Sequence, residues 1–155
     1  MKVESHTPRI EIHLGPEPIV ESAPSCDQET GFGASCEFSG RVRAVNFGRA
    51  VQSVHYDAFI PLARKALQKI AEEALKEAGS PGSIRIQHRT GAVGVGESSV
   101  WIQVLTPHRD EAFRVCRTVI ERLKHEAPIW KKEVYTDGET EWLKGHSLCA
   151  AGRNS

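Results

Sequence analysis

The sequence predicts an α+β domain with mixed or antiparallel sheets and two long amphipathic helices, on three observations. Short segments alternate apolar and polar residues with the period of a half-buried strand. Two longer segments repeat apolar residues at the three-four spacing of a buried helix face. The strands come in pairs between the helices rather than singly, which disfavours a doubly wound parallel sheet.

Residues 9–14, Arg-Ile-Glu-Ile-His-Leu, alternate strictly and predict a first strand. Gly15 to Gly31 is rich in Pro, Glu, Ser and Gly without a sustained period and reads as a surface loop or short irregular helix. Alternation returns with Ala34, Cys36, Phe38 and Val42 on one face and Ser35, Glu37, Ser39 and Arg41 on the other. Asn46 and Gly48 then turn the chain into a strand at Ala50–Tyr56, with Arg43 at the mouth of the hairpin. Asp57 is a candidate cap for a helix whose buried face would run through Phe59, Leu62, Ala63, Ala66, Leu67, Ile70, Ala74 and Leu75, with Gly79 and Pro81 ending it. Two more strands follow, one carrying Ile84, Ile86 and His88 and the other Val100, Ile102 and Val104, joined by a flexible glycine-bearing connection. Thr106 as cap and Pro107 in the first turn predict a second helix with the stripe Phe113, Cys116, Val119, Ile120 and Leu123. Ile129–Thr136 and Glu139–Leu143 read as a hairpin closed by a tight Asp137-Gly138 turn. The expected organisation is an N-terminal strand and linker over 1–31, one domain over 32–145 and a frayed tail over 146–155.

The 155 residues carry 20 basic and 20 acidic side chains, a formal net charge of zero. Non-specific binding to nucleic acid or to an anionic membrane uses a large basic excess, so both are disfavoured. No apolar run approaches the roughly 20 residues that span a bilayer, and the first 20 residues contain no signal-peptide core, so a cytoplasmic location is expected. The four cysteines, Cys26, Cys36, Cys116 and Cys149, show no CxxC spacing, and a structural zinc site is not expected.

Chemistry concentrates in three places. Gly91, Gly94 and Gly96 are spaced GxxGxG and precede a strand, the wrong order and context for a phosphate-cradling loop. His108 and Arg109 stand in the first turn of the second helix, where cations oppose the helix dipole; either a bound anion or neutralisation by Asp110 and Glu111 accounts for them. Lys124 closes the same helix, where the dipole alone would welcome it. Lys131 and Lys132 alternate on the next strand, so only one of them can face Lys124; by parity Lys131 goes with Ile129 and Glu133, and Lys132 with Trp130.

Taken together, Ala127-Pro-Ile-Trp-Lys-Lys-Glu133, Leu123-Lys124, Pro107-His108-Arg109, Phe38-Ser39-Gly40-Arg41-Val42-Arg43, Tyr56, His88-Arg89-Thr90-Gly91 and Gly96-Glu97-Ser98 resemble the large, catalytic subunits of molybdopterin synthases, in order over roughly residues 32 to 143. The resemblance implies an α/β hammerhead-type fold and a homodimer, each copy binding a small ubiquitin-like sulfur carrier that ends in a Gly-Gly thiocarboxylate. It implies transfer of that sulfur to cyclic pyranopterin monophosphate, forming the dithiolene of molybdopterin without a resident cofactor or metal. Lys124 and Lys131 match the family's pocket lysines, with their division of labour open. Arg43, His108 and Arg109, together with Lys131, match its substrate-anion residues, and Phe38 its tail channel. Lys144, His146 and Arg153 are candidates for a basic residue crossing from the second protomer. A non-catalytic scaffold that grips a ubiquitin-like tail is the alternative.

Overall fold

A computed structural model describes residues 7–22 and 30–142. Its elements are β1 (Arg9–Gly15), β2 (Ala34–Arg41), β3 (Val45–Asn46), β4 (Arg49–Ala58), α1 (Ile60–Ala78), β5 (Ser83–Arg89), β6 (Gly91–Gly94), β7 (Ser98–Thr106), α2 (Arg109–Glu126), β8 (Ile129–Tyr135) and β9 (Thr140–Trp142). They form two sheets. The first has the order β1-β5-β7-β2, with β1 parallel to β5 and the other pairs antiparallel. The second runs β3-β4-β8-β9, all antiparallel, and β6 also pairs with β4. The mixed α+β class expected from the sequence is the class observed.

Both helices lie against the first sheet because each has one apolar stripe to remove from water. α1 buries Ala63, Leu67, Ile70, Ala71, Ala74 and Leu75, and α2 buries Ala112, Val115, Cys116, Val119, Ile120 and Leu123. They meet Ile84 and Ile86 of β5 and Ile102 and Val104 of β7, all at most 1 % exposed. The opposite face of this sheet is covered by residues 16–22, which cross it as a strap. Gln87 Nε2 donates to Val20 O at 2.9 Å, Gln103 Nε2 to Ser22 O at 3.2 Å, and Ser39 Oγ to Glu21 Oε1 at 2.8 Å. The linker therefore has a packing role: it meets the polar side chains that β5, β7 and β2 turn away from the helices.

Several boundaries differ from expectation for identifiable reasons. α1 starts at Ile60 with Phe59 as N-cap; Asp57 instead accepts a bond from the Ala58 N–H at 2.9 Å. Phe59 and Leu62 precede the point where the helix reaches the sheet and are 60 % and 50 % exposed. At the other end Gly79, with φ 62°, donates to Lys76 O while Ser80 donates to Leu75 O, closing the helix in the left-handed manner glycine permits. α2 starts at Arg109, two residues after the proline, because Thr106 Oγ1 donates to His108 O at 2.7 Å and holds the chain extended there. Phe113, one turn into α2, is 64 % exposed and lies off the buried stripe. The glycine-bearing connection is partly a strand, β6, which borrows the free edge of β4.

The tight primed turn expected at Asp137-Gly138 is found at the other hairpin instead. At Asp137-Gly138 only the glycine has positive φ, and Tyr135 N–H bonds Glu139 O at 2.9 Å, so the loop is a three-residue one. The turn with two positive φ values is Phe47 (50°) and Gly48 (73°), between β3 and β4. A phenylalanine there is strained, since the left-handed region costs a residue with a Cβ about 1–2 kcal/mol. Phe47→Asn, which creates the favoured Asn-Gly turn, is expected to raise the unfolding free energy by about 1 kcal/mol in a denaturant titration; an unchanged or lowered midpoint would show that the exposed Phe47 ring offsets its own strain.

Candidate active site

Where the two sheets meet, a cavity of about 530 Å³ opens under the end of α2. Phe38, Ser39, Gly40 and Arg41 reach it from β2, Arg43 and Asn46 from the hairpin that follows, and Tyr56 from β4. His88 comes from β5, Ser99 and Val100 from β7, Ile120 and Lys124 from α2, and Lys131 from β8. Its charged lining residues are Arg41, Arg43, Lys124 and Lys131, with no carboxylate among them. In a chain whose charges balance, that segregation is the site's defining property, since a cavity lined by one sign focuses the field on an incoming ion of the other.

Each cation is placed by its element. Lys124 sits in the last turn of α2, one residue past the fully buried Leu123, and is half-buried at the cavity edge. β8 follows α2 after Ala127-Pro128, and its strand parity turns Ile129, Lys131, Glu133 and Tyr135 inward. Lys132 goes to the other face with Trp130, where its ammonium lies 5.1 Å from the centroid of Trp142. The lysine assignment by parity therefore holds. Gly40 is required by its surroundings: a Cβ there would stand 2.7 Å from Val100 Cγ1, too close without a shift, and would press on Phe38 Cε1 at 3.3 Å.

Arg41 joins the cavity although strict alternation assigns it to the polar face with Ser35, Glu37 and Ser39. The pairing of β2 with β7 shifts register between Gly40 and Arg41, so parity does not carry past Gly40. Beneath Arg43 lies a second group with no signal in the one-dimensional pattern. Glu133, 3 % exposed, accepts from Asn46 Nδ2 at 2.6 Å and from the Tyr135 hydroxyl at 2.7 Å. Asn46 turns its Oδ1 to Arg43 Nη2 at 3.2 Å. Burial of the phenol, and then the bond to Glu133 and its charge, push the Tyr135 hydroxyl up to about 12, so it remains a donor. The result is a chain of contacts in which a buried carboxylate orients an amide and the amide orients a guanidinium.

His108 and Arg109 do not join this cavity. They are exposed at the N-cap and first residue of α2, and Arg109 precedes Lys124 by fifteen residues, or about 22 Å along the helix axis at its standard rise. No single small anion can touch both ends within one chain. Lys144, His146 and Arg153 lie outside the described residues.

Glu133→Gln tests the hidden contacts. An amide presents one acceptor and one donor to partners that both donate, so one buried donor loses its acceptor, at a cost of about 1–3 kcal/mol in unfolding free energy. The same variant should bind inorganic phosphate more weakly through a slackened Arg43; full phosphate affinity would detach the cation from the carboxylate.

The family described as MoaE protein matches residues 16–126. A molybdopterin synthase catalytic subunit of Synechococcus elongatus is 44 % identical over 146 residues, covering 94 % of this chain and 88 % of the relative. The subunit of the same name from Nostoc is 36 % identical over 135 residues, covering 87 % and 82 %. Among solved structures, the molybdopterin synthase crystal structure from Staphylococcus aureus superposes with a TM-score of 0.71 at 34 % identity, covering 86 % of this chain and 96 % of that one. A fold shared with such relatives, and a match over most of the chain, lead to one conclusion: this chain belongs to the MoaE protein family, the family of molybdopterin synthase catalytic subunits.

Proposed function

We propose that the chain is the sulfur-transferring subunit of a two-protein cytoplasmic enzyme. It receives the C-terminal Gly-Gly tail of a small ubiquitin-like partner, and sulfur passes from the tail's thiocarboxylate to cyclic pyranopterin monophosphate. The observation that carries this reading is the cavity lined by four cations and no carboxylate. Both reactants are anionic at the reacting end, and positive charge already fixed in place stabilises such groups better than solvent that must reorient around them. A solved two-subunit complex of molybdopterin-converting factor from Helicobacter pylori has the same fold, with a TM-score of 0.65, and supports a small partner.

In this reading the tail lies extended along Phe38, where glycines without side chains pass a narrow entrance. Lys124 faces the acyl carbon of the tail, and Lys131 and Arg43 hold the anion. His108 and Arg109 act in the cavity of a second copy, which reconciles their expected role with their distance from Lys124 and requires a homodimer.

Lys124→Ala should abolish dithiolene formation while leaving thermal unfolding nearly unchanged, because a last-turn lysine adds only about 0.3–1 kcal/mol through the helix dipole. Equal loss of activity and stability would make the lysine structural. Wild-type chain that binds the thiocarboxylated partner yet yields no product would establish the scaffold alternative.

Arg109→Ala alone should weaken precursor binding about ten- to hundredfold, the worth of a charge-assisted phosphate contact. Mixing it with Lys124→Ala chains under subunit exchange should restore about a quarter of wild-type activity, since half the dimers are then mixed and each of those holds one intact site of two. Absence of any recovery would place both residues in one chain's site or remove Arg109 from it.

A further inference from the structure

Two thiols stand behind the cavity, and sulfur transfer as described uses neither. Cys36, Phe38 and Gly40 form one row along β2, since alternate residues of a strand share a face. Cys116, Ile120 and Lys124 form a second row, spaced four residues apart along one side of α2, which packs on β2. The later members of both rows, Phe38 and Gly40 on the strand and Ile120 and Lys124 on the helix, line the cavity. One step back along each row stand the two cysteines. Cys36 packs against the core cluster that contains Cys116, and the two side chains share a hydrogen bond.

Both cysteines are free thiols, and they are not equivalent. Cys36 is half-buried, whereas Cys116 is 4 % exposed. Burial, and then the adjoining Cys36 sulfur, push the Cys116 thiol up to about 12, so it keeps its proton and donates to Cys36. A small oxidant therefore meets Cys36 first, with Cys116 in contact behind it. An attacking cysteine beside a resolving one has this arrangement.

We propose that Cys36 and Cys116 form a reversible disulfide, a redox-sensitive lock between the strand and the helix that wall the cavity. Hydrogen peroxide is an oxidant small enough to reach a half-buried sulfur. The Cys36 sulfur attacks one peroxide oxygen, the O–O bond breaks, and a sulfenic acid and one water result. The Cys116 sulfur then attacks that of Cys36, the S–O bond breaks, and the leaving hydroxyl departs with the Cys116 proton as a second water. Each thiol gives up one electron, and peroxide accepts both. A disulfide holds its sulfurs at about 2.05 Å, closer than hydrogen-bonded thiols, so the bond draws α2 against β2. Ile120 and Lys124 follow, one and two turns further along the same helix. A misplacement of about 1 Å at a reacting group can cost about a hundredfold in rate. Only this consequence for activity rests on the sulfur-transfer reading; the bond itself does not.

Peroxide treatment of the full chain carrying Cys26→Ser and Cys149→Ser, which leaves Cys36 and Cys116 as its only thiols, tests the lock. Peptide mapping without reductant should find Cys36 joined to Cys116 and the intact chain lighter by two hydrogens. The same map of the wild-type chain gives an answer that does not depend on the two substitutions. With peroxide removed, dithiolene formation by the crosslinked chain should be lower by at least about tenfold and return with dithiothreitol. Cys36→Ala should keep the untreated rate and lose the response to peroxide. Oxidation that stops at a sulfenic or sulfinic acid on Cys36, beside a free Cys116, overturns the proposal. So does a crosslinked chain that works at full rate. Absence of product from the reduced wild-type chain would instead overturn the sulfur-transfer reading, and the peptide map would still decide whether the bond forms.

Discussion

Glu133 is the constraint on which the site's geometry hangs. A carboxylate only 3 % exposed has to be met by donors, and here Asn46 and Tyr135 meet it from β3 and from its own strand. Because Asn46 spends its N–H on Glu133, its oxygen is left for Arg43, and the guanidinium is aimed by a group it never touches. The strained turn at Phe47 and Gly48 begins one residue beyond Asn46, so this hairpin both holds the hub and places a cation. Backbone strain of this kind gathers near functional sites, where the surroundings hold it in place.

Positive charge is hard to concentrate in a chain that balances 20 bases against 20 acids. The fold does it by distributing carboxylates to other surfaces. Glu73 and Glu126 engage Arg122 on the helices, at 2.6 and 2.8 Å, and Asp137 and Glu139 engage Arg49 at the far hairpin, at 3.2 and 2.7 Å. Arg41, Arg43, Lys124 and Lys131 line the cavity at the seam of the sheets. The seam draws on both sheets and α2, so the site exists only when the whole domain is assembled.

Much of this was legible in one dimension because period and parity are local properties. The helix faces around Leu67 and Leu123, the strand faces of β5 and β7, and the division between Lys131 and Lys132 follow from side-chain alternation alone. The misreadings fall where local rules give way to tertiary ones. Phe59, Leu62 and Phe113 fit an apolar stripe but lie beyond the sheet's reach. Arg41 escapes its parity at a register shift, and Asp137-Gly138 carries a primed-turn signal that the longer loop does not use. Asn46, Tyr56, His88 and Glu133 meet around the cavity from three separated stretches of chain, which no short-range pattern encodes. The resemblance named the motifs that contain His88 and Glu133 without saying that one backs the cavity wall and the other orients Arg43.

α2 carries candidate site residues at both ends, His108 as its N-cap and Arg109 as its first residue, and Lys124 in its last turn. Between them runs an uninterrupted buried stripe that fixes the rotation of the rod against β2 and β7. A single residue inserted within it would swing Lys124 by about 100° around the axis and advance it about 1.5 Å, taking it out of the cavity even if every side chain were kept. The helix is in this sense a measuring rod: its residue count, independent of its composition, is part of the geometry of the candidate site, and length variation in this family would have to fall in the loops instead.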